Sequence, residues 1–344
     1  MRIAVDAREL SGSPTGVGRY LAEILAAWKS LPEAASHEVV LMQPDAGTGG
    51  TRWEQVTLPR LLWQRGADVL FAPAYTGPVL CPVPMVLTIH DVSFAAHPEW
   101  FSAQEGMRRR QFTRLAAHRA ARVLTVSEFS KSEIVAHLQV PWARVEVIYS
   151  GLHPLQTTHP DVHATREPES VLFVGSIFNR RHVPELVAGF SGLARRHAGA
   201  RLDIVGENRT TPRIDVDALV RDSGAADRVR IHSYVSDDVL SGLYARAGAF
   251  AFLSDYEGFG FTPLEALAAG VPIVVLDTTV AREIYGDAAI YVPRPDPELI
   301  ERALEEALFD PQARARVLQA AGAVLARYSW TECARRTLHA LVSV

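Results

Sequence analysis

The chain has 344 residues, 48% of them hydrophobic and 22% charged, with a formal net charge of −4. That length suits two domains of ordinary size, and that composition a soluble globular protein rather than a disordered or fibrous one. The slightly acidic balance gives no general pull toward nucleic acid. The two cysteines, Cys81 and Cys333, make no disulfide framework, and no apolar stretch approaches the ~20 residues of a bilayer span.

The first residues are already strand-like. Arg2 to Val5 predicts a strand with no apolar leader ahead of it, so the cytoplasm is the expected compartment. Asp6 to Gly18 reads as a loop containing Gly16 and Gly18, and Arg19 to Lys29 as a helix with Leu21, Ile24, Leu25 and Trp28 on one face. Strand, glycine loop and helix make the entry to a Rossmann-like half, although an ordinary turn explains a Gly-x-Gly equally well. Val39–Met42, Val69–Phe71 and Val86–Ile89 read as buried strands, while the stretch holding Trp53 and Trp63 shows no clear period. His90-Asp91 stands where a strand ends, and ligands of open α/β sheets gather at such ends. Gln104 to Arg122 predicts a helix dense in Arg108, Arg109, Arg110, Arg114, Arg119 and Arg122, with Met107, Phe112 and Leu115 interleaved. Its basic side is either a solvated face or a contact with anionic lipid. A strand at Val123–Val126, a helix opened by Ser127 or Ser130 and a strand at Val145–Tyr149 complete a first domain, residues 1–152.

Residues 153–170 read as a linker. Its histidines, His153, His159 and His163, have neither a helical face nor a nearby cysteine to make a metal site. A second domain, 171–328, repeats the strand–helix alternation. Val171 to Val174 predicts a strand, and the loop after it carries Arg180 and Arg181 ahead of a helix from about Val183. Adjacent guanidinium groups at a strand's carboxyl end suit the oxygens of a diphosphate. Arg201–Val205 reads as a strand ending at Gly206. Asp215-Val-Asp217 looks like a metal-binding Asp-x-Asp, but it opens a helix and is expected to serve the helix start rather than a metal. Val229–Ile231 is a further strand. After Ala249–Leu253, another apolar strand, comes Ser-Asp-Tyr-Glu257-Gly258-Phe259-Gly260-Phe261-Thr-Pro-Leu264-Glu265. Thr262 suits a helix N-cap, Pro263 the first helical position, Glu265 the return partner of a capping box, and Gly270 the stop. A glycine loop running into a helix start is an anion site. Two carboxylates beside it need another task, and a carboxylate accepts hydrogen bonds from neighbouring hydroxyls. Phosphate with hydroxyls describes a nucleotide, a sugar phosphate or a nucleotide sugar. Strands at Val271–Leu276 and Ala289–Val292 follow, separated by a loop, Asp277 to Glu283. Helices at Pro297–Leu308 and Pro311–Tyr328 come next, and the last helix is opened by Ser329-Trp-Thr-Glu332.

The run Glu257-Gly-Phe-Gly-Phe-Thr-Pro-Leu-Glu265, continuing to Gly270-Val-Pro, resembles the Glu-x7-Glu signature of the retaining glycosyltransferases of family 4, also called glycosyl transferases group 1, and in particular bacterial mannosyltransferases. The resemblance implies an α/β GT-B fold: two Rossmann-like domains facing across a cleft, the C-terminal helix, 329–344, crossing back to the first. It implies that Gly16 and Gly18 approach donor phosphate or acceptor, and that His90 lies beside the reacting sugar. Ser127 would line the cleft. Arg181 takes a place where lysine is usual, while Ser176 replaces an arginine often found there, a role open to Arg180. Gly206 would rim the site, and Tyr234 and Val235 would meet the nucleotide base. Glu257 would hold sugar hydroxyls and Glu265 the ribose. Gly258, Phe259, Gly260, Phe261 and Leu264 would line the donor pocket, and Glu283 matches a frequent glutamate of the family. No cofactor or metal is implied; the donor is a nucleotide sugar, GDP-mannose first and a UDP-sugar next. The acceptor would be a glycan or a lipid-linked chain, with peripheral membrane contact through Arg108, Arg109, Arg110 and Arg114. The alternatives are a binding subunit with a dead site, and a GT-B epimerase or phosphorylase; the Glu-x7-Glu loop argues against the epimerase, and the lack of a candidate pyridoxal-lysine motif against the phosphorylase.

Overall fold

The computed structural model describes residues 1–11, 16–44, 50–152 and 166–344. The chain divides into two compact units, one formed by Met1–Gly151 with Tyr328–Val344, the other by Leu152–Arg327. The first holds six parallel strands: β1 (Arg2–Asp6), β2 (Glu38–Met42), β3 (Val69–Ala72), β4 (Met85–Thr88), β5 (Arg122–Thr125) and β6 (Val145–Val147). The second holds β7 (Ser170–Val174), β8 (Arg201–Val205), β9 (Val229–His232), β10 (Ala249–Phe252), β11 (Ile273–Leu276) and β12 (Ile290–Val292), also all parallel.

Parallel sheets of this kind carry helices on both faces, so their central strands are apolar throughout. Val-Leu-Phe-Ala in β3, Ser-Val-Leu-Phe-Val in β7, Ala-Phe-Ala-Phe in β10 and Ile-Val-Val-Leu in β11 are buried at every position. The edge strands β2 and β9 are only partly covered. Strand order is β2-β1-β3-β4-β5-β6 in the first sheet and β12-β11-β10-β7-β8-β9 in the second. The second is the order of a dinucleotide-binding sheet, and the first is the flavodoxin-like variant. In each, the order reverses once, between β1 and β3 and between β7 and β10. At these points the two crossover helices leave on opposite faces and the loops at the strands' carboxyl ends part to make a crevice.

The last helix, Trp330–Val342, packs in the first unit against the helix Gly16–Ser30. Trp28 Nε1 donates to the carbonyl of Ala334 at 2.8 Å. Ser329 caps that last helix by accepting from the amide of Glu332. A Cβ on Gly151 would lie 2.2 Å from the backbone nitrogen of Trp330, so the chain passes itself there with no room for a side chain. Both cysteines are free, and burial pushes the Cys333 thiol up to about 12.

Several boundaries differ from those read in the sequence. The first helix begins at Gly16, which places Gly16 and Gly18 in its first turn rather than in a loop, and Gly18 is buried. The unassigned stretch after β2 forms one π-helical turn, Trp53–Thr57, continued by the helix Leu58–Gln64; it buries Trp53 and leaves Trp63 exposed. The arginine-rich helix runs from Ala103 to Arg119, capped by Ser102, and Arg122 belongs to β5. Asp277 to Glu283 is not one loop: Thr278 caps a helix, Thr279–Tyr285, that contains Glu283. The linker histidines lie outside the described residues. Asp215 does cap a helix, Val216–Asp222, accepting from the amide of Ala218 at 2.9 Å.

Candidate active site

Because β7 and β10 are neighbours, the loops after them run side by side, and they are tied together by four contacts. The Arg181 Nε and Nη2 atoms both lie 2.8 Å from Glu257 Oε1. Arg180 Nε donates to the carbonyl of Tyr256 at 3.2 Å, and the amide of Asp255 donates to the carbonyl of Arg180 at 2.9 Å. His182 Nε2 lies 2.6 Å from Asp255 Oδ2. Glu257 also accepts from Ser254 Oγ at 2.9 Å, and Arg181 Nη1 donates to the carbonyl of Ser176 at 2.9 Å. The Arg181 guanidinium sits 4.9 Å from the centre of the Phe252 ring, and that of Arg180 4.4 Å from Phe178. These aromatic faces hold the two cations at the sheet edge. Arg181 and Glu257 are each largely covered, with 13% and 17% of their side chains exposed. A cation and a carboxylate are therefore fixed against each other at the switch point of the second sheet. A small hollow lies beside Glu257 and is bordered by Phe252, Ser254, Phe259, Thr278 and Tyr285.

The helix that follows is Phe261–Ala268, and it corrects the expected capping box. Gly260 occupies the N-cap with φ +88°, no side chain caps the first turn, and no acidic residue lies in it. The helix starts early because glycine enters the left-handed region without steric cost. A Cβ at Gly260 would also stand 2.1 Å from the Tyr285 hydroxyl, which donates to the Gly260 carbonyl at 3.0 Å. Glu265, fifth in the helix, is instead held by the fully buried Tyr244, whose hydroxyl donates to Oε2 at 2.9 Å. Gly270 ends the helix as expected: its amide donates to the carbonyl of Leu267, and the next amide, of Val271, to that of Ala266. Phe259 and Leu264 are buried, whereas Gly258, Gly260 and Phe261 are half-exposed.

The remaining candidates of this unit line the same sheet edge in strand order. Gly206 follows β8 and packs so closely on the preceding loop that a Cβ would lie 1.9 Å from the carbonyl oxygen of Gly175. Tyr234 and Val235 follow β9; Tyr234 is 83% exposed, the most open large hydrophobic side chain among the described residues. Among the described residues no group of three His, Cys, Asp or Glu is placed to hold a metal ion.

In the first unit, His90 follows β4 and lies half-buried between two tyrosines. The Tyr20 ring meets it edge-on at 4.8 Å and Tyr75 lies at 5.5 Å. Its Nε2 lies 2.9 Å from the carbonyl of Pro73. A carbonyl only accepts, so Nε2 carries the hydrogen and Nδ1 is the acceptor nitrogen. Burial lowers its pKa, against the raising effects of the Pro73 carbonyl and Asp91. Gly16 and Gly18 begin the helix that carries Tyr20. Ser127 caps the helix Glu128–Leu138, accepting from the amide of Ser130 at 3.0 Å, while Ser130 Oγ donates to the carbonyl of His90.

Sequence reasoning missed a cluster at the switch point of the first sheet. Arg8 Nη2 lies 2.7 Å from Asp6 Oδ2 and 2.6 Å from Glu54 Oε2, and Thr76 donates to Glu54 at 2.6 Å. Burial raises the Asp6 pKa although Arg8 opposes it. On the arginine-rich helix, Arg108, Arg109 and Arg114 are exposed and Arg110 half-exposed, beside exposed Met107 and Leu115. Arg109 pairs with Glu105 at 2.7 Å, and Arg114 with Gln139.

Two parallel six-stranded α/β units, with the candidate residues at the carboxyl edges of their strands, define the GT-B class of glycosyltransferases. Comparison with known proteins agrees. The family described as Glycosyl transferases group 1 matches residues 156–323, and Glycosyltransferase Family 4 matches residues 24–154. The chain belongs to these GT-B glycosyltransferases. It is 27% identical over 267 residues to the O-antigen chain mannosyltransferase B of Escherichia coli, covering 74% of this chain and 69% of that protein. It is 28% identical over 192 residues to the GDP-mannose:cellobiosyl-diphosphopolyprenol alpha-mannosyltransferase of Xanthomonas oryzae, covering 56% of this chain and 49% of that one. The crystal structure of the Anabaena HepE protein with UDP and glucose superposes over the whole of both chains with a TM-score of 0.75 at 18% identity.

Proposed function

We propose that this glycosyltransferase is a retaining, metal-independent enzyme that moves a hexose from a nucleotide sugar to a glycan or lipid-linked acceptor. Mannose from GDP-mannose is the first assignment. The observation that carries the reading is the Arg181–Glu257 pair, shared between neighbouring loops at the switch point of the second sheet. A diphosphate needs the cation and a sugar ring needs the carboxylate, and the two are adjacent.

In the proposed donor complex Tyr234 and Val235 would meet the base, Glu265 the ribose, Arg180 and Arg181 the diphosphate and Glu257 the hexose. Three strand spacings, about 14 Å, separate β9 from β10, a span that suits an extended nucleoside diphosphate. Arg180, Arg181 and the backbone amides around Phe259 and Phe261 would stabilise the charge developing on the leaving diphosphate. With retention and without a double displacement, that phosphate itself would take the acceptor's proton. His90, as the Nε2–H tautomer, would offer Nδ1 to a sugar hydroxyl. The relatives named for mannosyl transfer favour GDP-mannose; the superposition on a protein crystallised with UDP and glucose favours the second reading, a UDP-sugar. Membrane contact is assigned to the helix Ala103–Arg119, where Met107 and Leu115 stand exposed among Arg108, Arg109, Arg110 and Arg114. No helix among the described residues is long and apolar enough to cross a bilayer.

A thermal-shift panel with GDP, UDP, ADP and dTDP, repeated on Glu265→Ala, tests the reading. Near 100 times the dissociation constant a ligand stabilises by about 2.7 kcal/mol, and roughly 2–4 °C per kcal/mol makes that visible. One nucleotide that stands out, and weakens with the Glu265 change, supports the site and names the base. No shift with any of them would make a binding subunit with a dead site the better reading. Proton NMR of the anomeric product then decides retention.

A further inference from the structure

One contact between the paired loops involves His182, which lies outside the set assigned to the donor. His182 lies between Arg181 and the helix Val183–Arg196, in left-handed backbone with φ +49° and ψ +39°. A β-carbon makes that region unfavourable for histidine. It is the N-cap of that helix, yet its side chain caps no amide. The imidazole turns away, with Nε2 2.6 Å from Asp255 Oδ2 and Nδ1 3.6 Å from Glu185 Oε2. Asp255 is anchored from the other side, its own amide donating to the carbonyl of Arg180. Residues 180, 181 and 182 are thus each bonded to a residue of 255–257.

We propose that His182 is a positioning residue: as a cation bonded to Asp255, it holds the loop after β7 against the loop after β10 so that Arg181 meets Glu257 in the geometry glycosyl transfer needs. The proposal rests on the function assigned above and adds to it the means by which that pair is held. Burial alone would lower the His182 pKa, but the hydrogen bond it donates to Asp255 and the nearby Glu185 carboxylate raise it to about 9. The charged groups around it are Asp255 and Glu257 on the facing loop, Glu185 on its own helix, and Arg180 and Arg181 on its own turn. Its folded value lies above the ordinary histidine range. The tie is therefore complete below the unfolded value of 6.5 and is lost as pH rises through about 9. The effect on turnover follows from geometry: a reacting group displaced by about 1 Å can cost up to about a hundredfold in rate.

The test compares wild type, His182→Asn and Asp255→Asn. Asparagine tolerates left-handed backbone and keeps the helix start. Donor turnover is followed by nucleoside diphosphate release between pH 7 and 10, and the His182 ring by proton NMR. In wild type, kcat is expected to fall with an apparent pKa near 9, the value to which His182 is raised. His182→Asn should lower kcat about tenfold at pH 7, with donor KM changed less than about twofold, and should lose the alkaline limb. Asp255→Asn should bring the NMR titration of His182 down toward the ordinary value. An alkaline limb that persists in His182→Asn, or a wild-type His182 that titrates near 6.5, overturns the tie. If wild type turns over no nucleotide sugar, the proposed function falls, and the NMR titrations decide the His182–Asp255 contact alone.

Discussion

Replacing Glu257 by glutamine should separate the two tasks assigned to the paired loops. Arg181 now spends two of its donors on one carboxylate oxygen, both at 2.8 Å. With charge centres about 4 Å apart and an effective dielectric near 20, their attraction is about 4 kcal/mol. Both side chains keep some exposure, 13% and 17%, so water returns much of that when the pair opens. A net hold of about 1–2 kcal/mol is what an arriving phosphate must overcome, a factor of roughly 5–30 in affinity. Glu257→Gln keeps the shape and removes the charge. Titration calorimetry with GDP and UDP should then show nucleoside diphosphate binding unchanged or tighter by up to that factor. Turnover at saturating donor should fall at least about a hundredfold, because a carboxylate facing a developing positive centre contributes most in the transition state. If nucleotide affinity and turnover fall together, Glu257 merely shapes the loop. If turnover is unchanged, it has no part at the sugar.

Three further outcomes are expected. Tyr244→Phe removes only the hydroxyl that holds Glu265, so it should cost about 1 kcal/mol of stability; nucleoside affinity should weaken while pyrophosphate affinity does not, read by urea unfolding and calorimetry. Gly260→Ala meets both a φ of +88° and a contact 2.1 Å from the Tyr285 hydroxyl, and should destabilise by about 1–3 kcal/mol. Adding Tyr285→Phe should rescue only part of that loss, since the backbone strain remains. His90 is half-buried with its pKa lowered from 6.5, so its neutral form stabilises the fold above the unfolded value, and that contribution is lost as pH falls below it. The melting temperature of wild type should drop more steeply below about pH 6.5 than that of His90→Gln, whose amide can still donate to Pro73. Parallel curves would refute this.

The strands were legible because parallel sheets bury both faces, which writes them as short apolar runs such as Val-Leu-Phe-Ala and Ile-Val-Val-Leu. Helix starts with a side-chain oxygen, at Ser127, Asp215 and Ser329, were legible too. The helix after Gly260 was misread at its start because a left-handed glycine replaced the Thr262 cap. The alternative then changes the meaning of Glu265, from a partner of its own helix to a partner of Tyr244. The Trp53–Gln64 helix escaped because a π-helical turn breaks the 3.6-residue period. Arg8 with Glu54, and His182 with Asp255, join positions far apart in sequence; nothing local marks either pair. Arg181 and Glu257 were each singled out, but their direct pairing depends on β7 lying next to β10, which strand order alone determines.

The route of the chain through its two units also bears on how the protein is made. Leu152–Arg327 is continuous, whereas the first unit is interrupted by it and closed only by Tyr328–Val344. The bond between Trp28 and Ala334 joins residues 306 positions apart. On the ribosome the second unit therefore has all of its sequence while the first still lacks its last helix, and domains generally fold as units during synthesis. The face of Gly16–Ser30 that receives Trp330 and Ala334 stays bare until Tyr328–Val344 has emerged. The half of the enzyme that is encoded first is the half that is finished last, and a stalled or clipped chain would display an apolar groove on one unit beside a completed other.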